Sequence, residues 1–83
     1  MKTIFFTVFD KNNEKYANMM VKSLKHFNPE AEVRLFNEED VKATNDPEIF
    51  YRATPYFANK LFEEGYEQVI KIDADVLIFG NLS

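Results

Sequence analysis

Residues 69–83 read VIKIDADVLIFGNLS, a largely apolar run from Val69 to Ile72 that leads into two aspartates one residue apart, Asp73 and Asp75. A segment this short, rich in Val and Ile and with Gly65 a few residues upstream, predicts a strand over QVIKID, residues 68–73, with VLIF, 76–79, a brief continuation beyond the aspartates. The elements that precede it decide the architecture. TPYFANKLFEEG, 54–65, predicts a helix capped by Thr54, with Pro55 at its first position and Gly65 ending it in the left-handed conformation. Between Asn37 and Arg52 the pattern is broken, so NEED, 37–40, and DPEIF, 46–50, read as connectors of one or two helical turns. Asp46 caps the second of these, and Pro47 takes its first helical position.

Further outward, EVRLF, 32–36, alternates enough to suit a strand near the edge of a sheet. Tyr16, Met20, Leu24 and Phe27 recur at helical spacing with Ala17 and Val21 widening the stripe, after the turn-forming DKNN, 10–13, and before the helix-stopping NPE, 28–30. Ile4 to Val8 is β-branched and aromatic without polar alternation, the pattern of a strand covered on both faces. The order β-α-β-α-β predicts an α/β fold, a Rossmann-like parallel sheet with right-handed crossovers and helices on both faces. The first strand should lie between the second and the aspartate strand. No repeat or linker divides residues 1–83, which read as one domain.

Composition narrows the function. A net charge of −4 and a pI near 4.9 argue against nucleic acid and anionic membranes as partners and favour small molecules or metal ions. The absence of Cys removes thiolate nucleophiles and zinc-thiolate sites. MKTIFFTVF, 1–9, has no small-residue cleavage site and reads as a strand rather than a leader, no segment is long enough to span a membrane, and a cytoplasmic setting is expected. Nine Phe and four Tyr in 83 residues exceed what so small a core covers, so self-association through exposed aromatics is expected.

Ligands of open α/β sheets bind outside the carboxyl ends of the strands, where strand order reverses. Asp73 ends the third strand there, and residues two apart in an extended segment point the same way, so Asp73 and Asp75 can face one point. Two hard oxygen donors suit Mg²⁺ or Mn²⁺, which complete their shell with water and phosphate oxygens. The plainer alternative has one aspartate capping a turn and the other solvated. His26, the single histidine, reads as a surface charge at a helix end, and Ser23 has no His or Asp partner at a recognisable spacing.

GYEQVIKIDADVLIFGNL, 65–82, resembles the metal-binding Asp-x-Asp segment of nucleotide-sugar glycosyltransferases of the GT-A fold, in the group of glycogenin and the bacterial lipopolysaccharide galactosyltransferases. FFTVFDKNNEKYANMMVKSLKHFNPEAEV, 5–33, is similar to that group's first strand, nucleotide-binding loop and first helix, including the pair Ser23-Leu24. The resemblance implies that Asp73 and Asp75, with Ala74 between them, hold the ion that bridges the diphosphate of a donor, a UDP-sugar above all. It implies that Thr7, Val8, Phe9 and Asp10 contact the base and ribose. Tyr16 either stacks on the base or heads the core stripe of its helix, and Arg52 and Lys60 compete for the place of a basic residue that reaches the donor, or are solvated helix charges. The family's enzymes are considerably longer, so residues 1–83 are expected to be the donor-binding N-terminal half, inactive alone, of an enzyme that transfers sugar to a hydroxyl acceptor. Two other readings stay open. In a haloacid-dehalogenase-type phosphotransferase Asp73 is the nucleophile and Asp75 the acid/base, although that motif opens its domain and has Thr or Val where this chain has Leu77. The third is a nucleotide- or metal-binding module without turnover.

Overall fold

The computed structural model describes residues 2–45 and 49–74, and the side chains of all these except residues 49–52. β1, Thr3–Val8, is followed by a 3₁₀ turn, Lys11–Asn13, and by α1, Glu14–Phe27. Then come β2, Glu32–Phe36; a short α2, Glu38–Lys42; α3, Ile49–Glu63; and β3, Gln68–Lys71. The sheet is all parallel in the order β2-β1-β3, with Phe5 opposite Val33 on one side and Ile70 on the other. The apolar first strand thus lies between the second and the aspartate strand, and Arg34 sits on a flanking strand where its charge reaches solvent.

The chain steps from β1 to β2 in one direction and back past β1 to β3 in the other. Parallel crossovers keep one hand, so the two connections must cover opposite faces. The core divides accordingly. Phe5 packs with Met20 and Leu24 of α1, joined by Val33, Ile70 and Ile72. Ile4 and Phe6 pack with Phe36 and with Phe57 and Leu61 of α3, joined by Val69 and Tyr66. Side chains alternate across a strand, so neighbouring residues of β1 serve different helices. On the α3 face Phe36 stacks on Phe57 with centroids 4.1 Å apart and meets Phe6 edge-on at 6.0 Å, arrangements that aromatic quadrupoles favour.

Local signals account for most of the boundaries. Asp10 accepts from the Asn13 N–H at 3.1 Å and caps the turn that opens α1. Asn28, restrained by Pro29, leaves helical geometry and ends that helix. Asn37 and Asp40 form a capping box on α2, at 2.9 and 2.8 Å. After α3, Gly65 has a φ of 105°, its N–H donates to Phe62 O, and the Tyr66 N–H donates to Leu61 O. This paired closure satisfies two of the helix's last carbonyls, and Tyr66 packs back on the Leu61 cluster as such motifs favour.

Three expectations are corrected. α3 does not begin at Thr54; it runs unbroken through Thr54 and Pro55 from Ile49, so residues 49–52 belong to it rather than to a separate connector. Pro55 cannot donate to the Tyr51 carbonyl. The stripe Ala53, Phe57 and Leu61 nevertheless packs on the sheet across the proline, and that burial holds the extra turns in place. Tyr16 does not head the core stripe of α1: it is 49% exposed, and the buried positions are Ala17, Met20 and Leu24. Phe27 at the other end is exposed as well, because only the middle turns of a helix crossing so small a sheet are covered. The proposed cap Asp46, with Pro47, and the continuation at 76–79 lie outside the described residues.

From the middle of β2, Arg34 forks onto Glu64, just past α3, with its two terminal nitrogens 3.1 and 3.0 Å from the carboxylate oxygens. This hydrogen-bonded pair holds the Glu64 carboxyl below the usual value near 4.5 and the Arg34 guanidinium above its own. A depressed carboxyl stabilises the fold above its unfolded-state value, and the contribution is lost as the pH falls through the folded-state value. The wild type is therefore expected to melt above Glu64→Gln at neutral pH, with the two curves converging in acid below about pH 4.5, where the unfolded carboxyl protonates first. A difference that persists unchanged in acid would show that the ion pair is not its source.

Candidate functional site at the carboxyl edge of the sheet

The two crossovers cover opposite faces and leave β1 between β2 and β3, so strand order reverses at β1, with β3 beside it. Such a reversal of strand order is where open parallel sheets form a crevice. One rung beyond the pair Phe6 and Lys71, the Ile72 N–H still donates to Phe6 O at 2.9 Å, and Asp73 follows. On the other side the Phe9 N–H donates to Phe36 O at 3.0 Å, which holds the end of β1 in line before Asp10 turns away.

A cavity of about 240 Å³ opens here on the α3 face. Val8 of β1, Phe9 just after it and Lys71 from β3 line its floor side, and Val41 of α2 with Ala53 and Thr54 of α3 form the wall. Phe9 and Asp10 also line a second cavity of about 200 Å³, bounded by Lys11 and Glu14 before and on α1 and by Glu38, Glu39 and Lys42 of α2. Phe9 and Asp10 therefore form a ridge between the two spaces. Asp10 Oδ1 accepts from the Asn13 N–H at 3.1 Å and from its Nδ2 at 2.9 Å, so this oxygen is engaged in shaping the loop.

Asp73 is the open carboxylate of the edge. Its side chain is 70% exposed, and Oδ1 accepts from Lys71 Nζ at 3.2 Å. Residues 71 and 73 share the α3 face by strand alternation, which is why the two charges meet. An exposed oxygen donor that already holds one cation is the kind of group a divalent ion takes, and the donor chemistry fits Mg²⁺ or Mn²⁺. Among the described residues no group of three or more His, Cys, Asp or Glu is arranged to hold a metal. A divalent ion on Asp73 would need further oxygens; the expected second donor, Asp75, lies outside the described residues.

The other expected residues divide by position. Val8 and Phe9 are half-buried at the cavity and Asp10 is exposed on the ridge. Ala74 follows Asp73, half-buried, in a turn. Thr7 is completely buried on the α1 face and presents no side-chain surface to a ligand. Tyr16 lies on the outer side of α1 and lines neither cavity. Lys60 is exposed near the end of α3 that leads to the amino ends of the strands, away from the cavity. The backbone of Arg52 adjoins Ala53 at the cavity wall, while its side chain lies outside the described residues. Lys71 was missed by sequence reasoning, yet the two-residue spacing that pairs Asp73 with Asp75 equally pairs Lys71 with Asp73. Among the described residues no helix is long and apolar enough to cross a membrane. No family model matches the chain, and no curated protein or solved structure matches it.

Thr7 supplies a test of how the buried polar groups here are satisfied. Its Oγ1 is buried without a hydrogen-bond partner among the described residues. An unpaired buried hydroxyl costs stability that an apolar group of the same shape avoids. Thr7→Val is expected to raise the unfolding free energy by about 1 kcal/mol in urea titrations. A clear loss of stability would mean that the hydroxyl is satisfied in solution.

Proposed function

We propose that this chain is the donor-binding part of a metal-dependent glycosyltransferase, taking a nucleotide diphosphate sugar, a UDP-sugar above all, and passing its sugar to a hydroxyl acceptor. The observation that carries the reading is the position of Asp73, an exposed carboxylate at the carboxyl end of β3 beside the β1 terminus, where strand order reverses. Asp73, with Asp75, supplies hard oxygen to Mn²⁺ or Mg²⁺, and the diphosphate completes the shell. The ion's chemical contribution is to offset charge on the departing nucleotide diphosphate. Val8 and Phe9 offer the nucleotide an apolar surface, and Asp10, through its contacts to Asn13, holds the loop that frames it.

The haloacid-dehalogenase-type alternative has less support. Its nucleophile strand opens the domain, whereas here two crossover connections precede β3. The reading also carries a cytoplasmic setting and no nucleic-acid partner, in keeping with the acidic composition. Association between copies through Tyr16, Met19, Phe27, Tyr56 and Phe62, all at least 40% exposed, belongs to it as well.

A site with so few protein donors requires metal and nucleotide to bind together. Titration calorimetry is expected to show UDP binding at least about tenfold more tightly with Mn²⁺ than without it, a coupling of ~1.4 kcal/mol. Asp73→Asn and Asp75→Asn should each remove that coupling. Equal UDP affinity with and without Mn²⁺ would rule the proposed donor site out.

A further inference from the structure

Lys71 is the cation that faces the proposed metal carboxylate, and its place in the strand gives it a second direction to turn. Its Nζ is 3.2 Å from Asp73 Oδ1, and both side chains are open to solvent, at 36% and 70%. The same side chain lines the 240 Å³ cavity, where Asp10 is the other charged group among the described lining residues and Phe9, Val41 and Thr54 are neutral. A divalent ion on Asp73 would stand close to the ammonium and repel it. An exposed pair of this kind is weak enough to give way, and lysine's long stem lets the charge move without any change in the strand. The diphosphate that completes the metal shell would then offer the displaced ammonium its strongest partner, since phosphate oxygens accept charge-assisted hydrogen bonds.

We propose that Lys71 is the resident counter-ion of the metal site: it neutralises Asp73 until the metal binds, yields to the metal, and then holds the diphosphate from the cavity side. This rests on the donor-site reading above and adds to it a residue that opposes metal binding alone and favours the metal–nucleotide pair. The two effects have opposite signs, which a merely structural lysine would not produce.

The experiment measures Mn²⁺ alone by the paramagnetic resonance of the free ion, and UDP in saturating Mn²⁺ by calorimetry. The proteins compared are wild type, Lys71→Met, Asp73→Asn and Lys42→Met. The last removes the same charge from the neighbouring cavity without touching Asp73. Lys71→Met is expected to bind Mn²⁺ up to about fivefold more tightly and UDP about tenfold more weakly. Lys42→Met should leave both within about twofold, because screened charges at a distance contribute little. If Lys71→Met shifts both affinities the same way, or neither, while Asp73→Asn still weakens Mn²⁺ binding, the role of Lys71 is overturned and the donor site stands. If Asp73→Asn leaves Mn²⁺ binding unchanged, the donor site itself fails and the role of Lys71 with it.

Discussion

The burial of β1 governs the rest of the structure. It is hydrogen-bonded along both edges and covered on both faces, so consecutive residues must serve different layers: Phe5 packs against α1, and Ile4 and Phe6 against α3. A shift of one residue in its pairing would exchange the two sets and drive polar groups of β2 and β3 into the wrong layer. The same alternation carries past the core to the carboxyl edge. Arg34, Lys71 and Asp73 share the α3 side with Ile4 and Phe6 because of where they fall in the register, and not through any separate constraint.

That register gives the two ends of the sheet different characters. Toward the amino edge the polar groups are engaged: Arg34 reaches from mid-strand to Glu64, Lys2 lies over the Tyr66 ring at 4.6 Å, and the Glu32 carboxylate pushes the Tyr66 phenol above its usual range. These contacts fasten the end of α3 to the strands. At the carboxyl edge there is space instead, with a cavity under α3 and a largely exposed carboxylate that, among the described residues, a lysine on its own strand engages. Closed pairing at one edge and an open, polar crevice at the other is how a parallel sheet separates stability from binding.

Much of this was legible in the chain. The unalternating run Ile4–Val8 announced a doubly covered strand, the arginine in EVRLF a flanking one, and DKNN, NPE and the Asn37 box marked helix ends through their local chemistry. What escaped was decided by packing over distance. Thr54-Pro55 has the local signature of a helix start, but Ala53 completes a stripe with Phe57 and Leu61 that the sheet buries, and burial outweighs the proline. Tyr16 lies on the helical period of the core and is still exposed, because the sheet is too narrow to cover both ends of α1. At the site, Asp73 was visible from its position after an apolar strand. Lys71 read as part of the strand, and its contact with Asp73 and its place on the cavity emerged only with the fold. Lys60 fell at the wrong end of α3, which no reading of helix charge alone reveals.

The central claim is that the carboxyl edge between β1 and β3 is where this protein binds its ligand. Paramagnetic relaxation mapping tests it most directly: amide spectra of the isotopically labelled protein recorded with UDP and substoichiometric Mn²⁺, against UDP and Mg²⁺ as the diamagnetic reference. The account predicts line broadening centred on Phe9, Asp10 and Lys71 to Ala74, fading along β1 and β3 toward their amino ends. Broadening centred instead on the acidic turn of α2, Glu38 to Asp40, or spread evenly over the surface carboxylates, would contradict it.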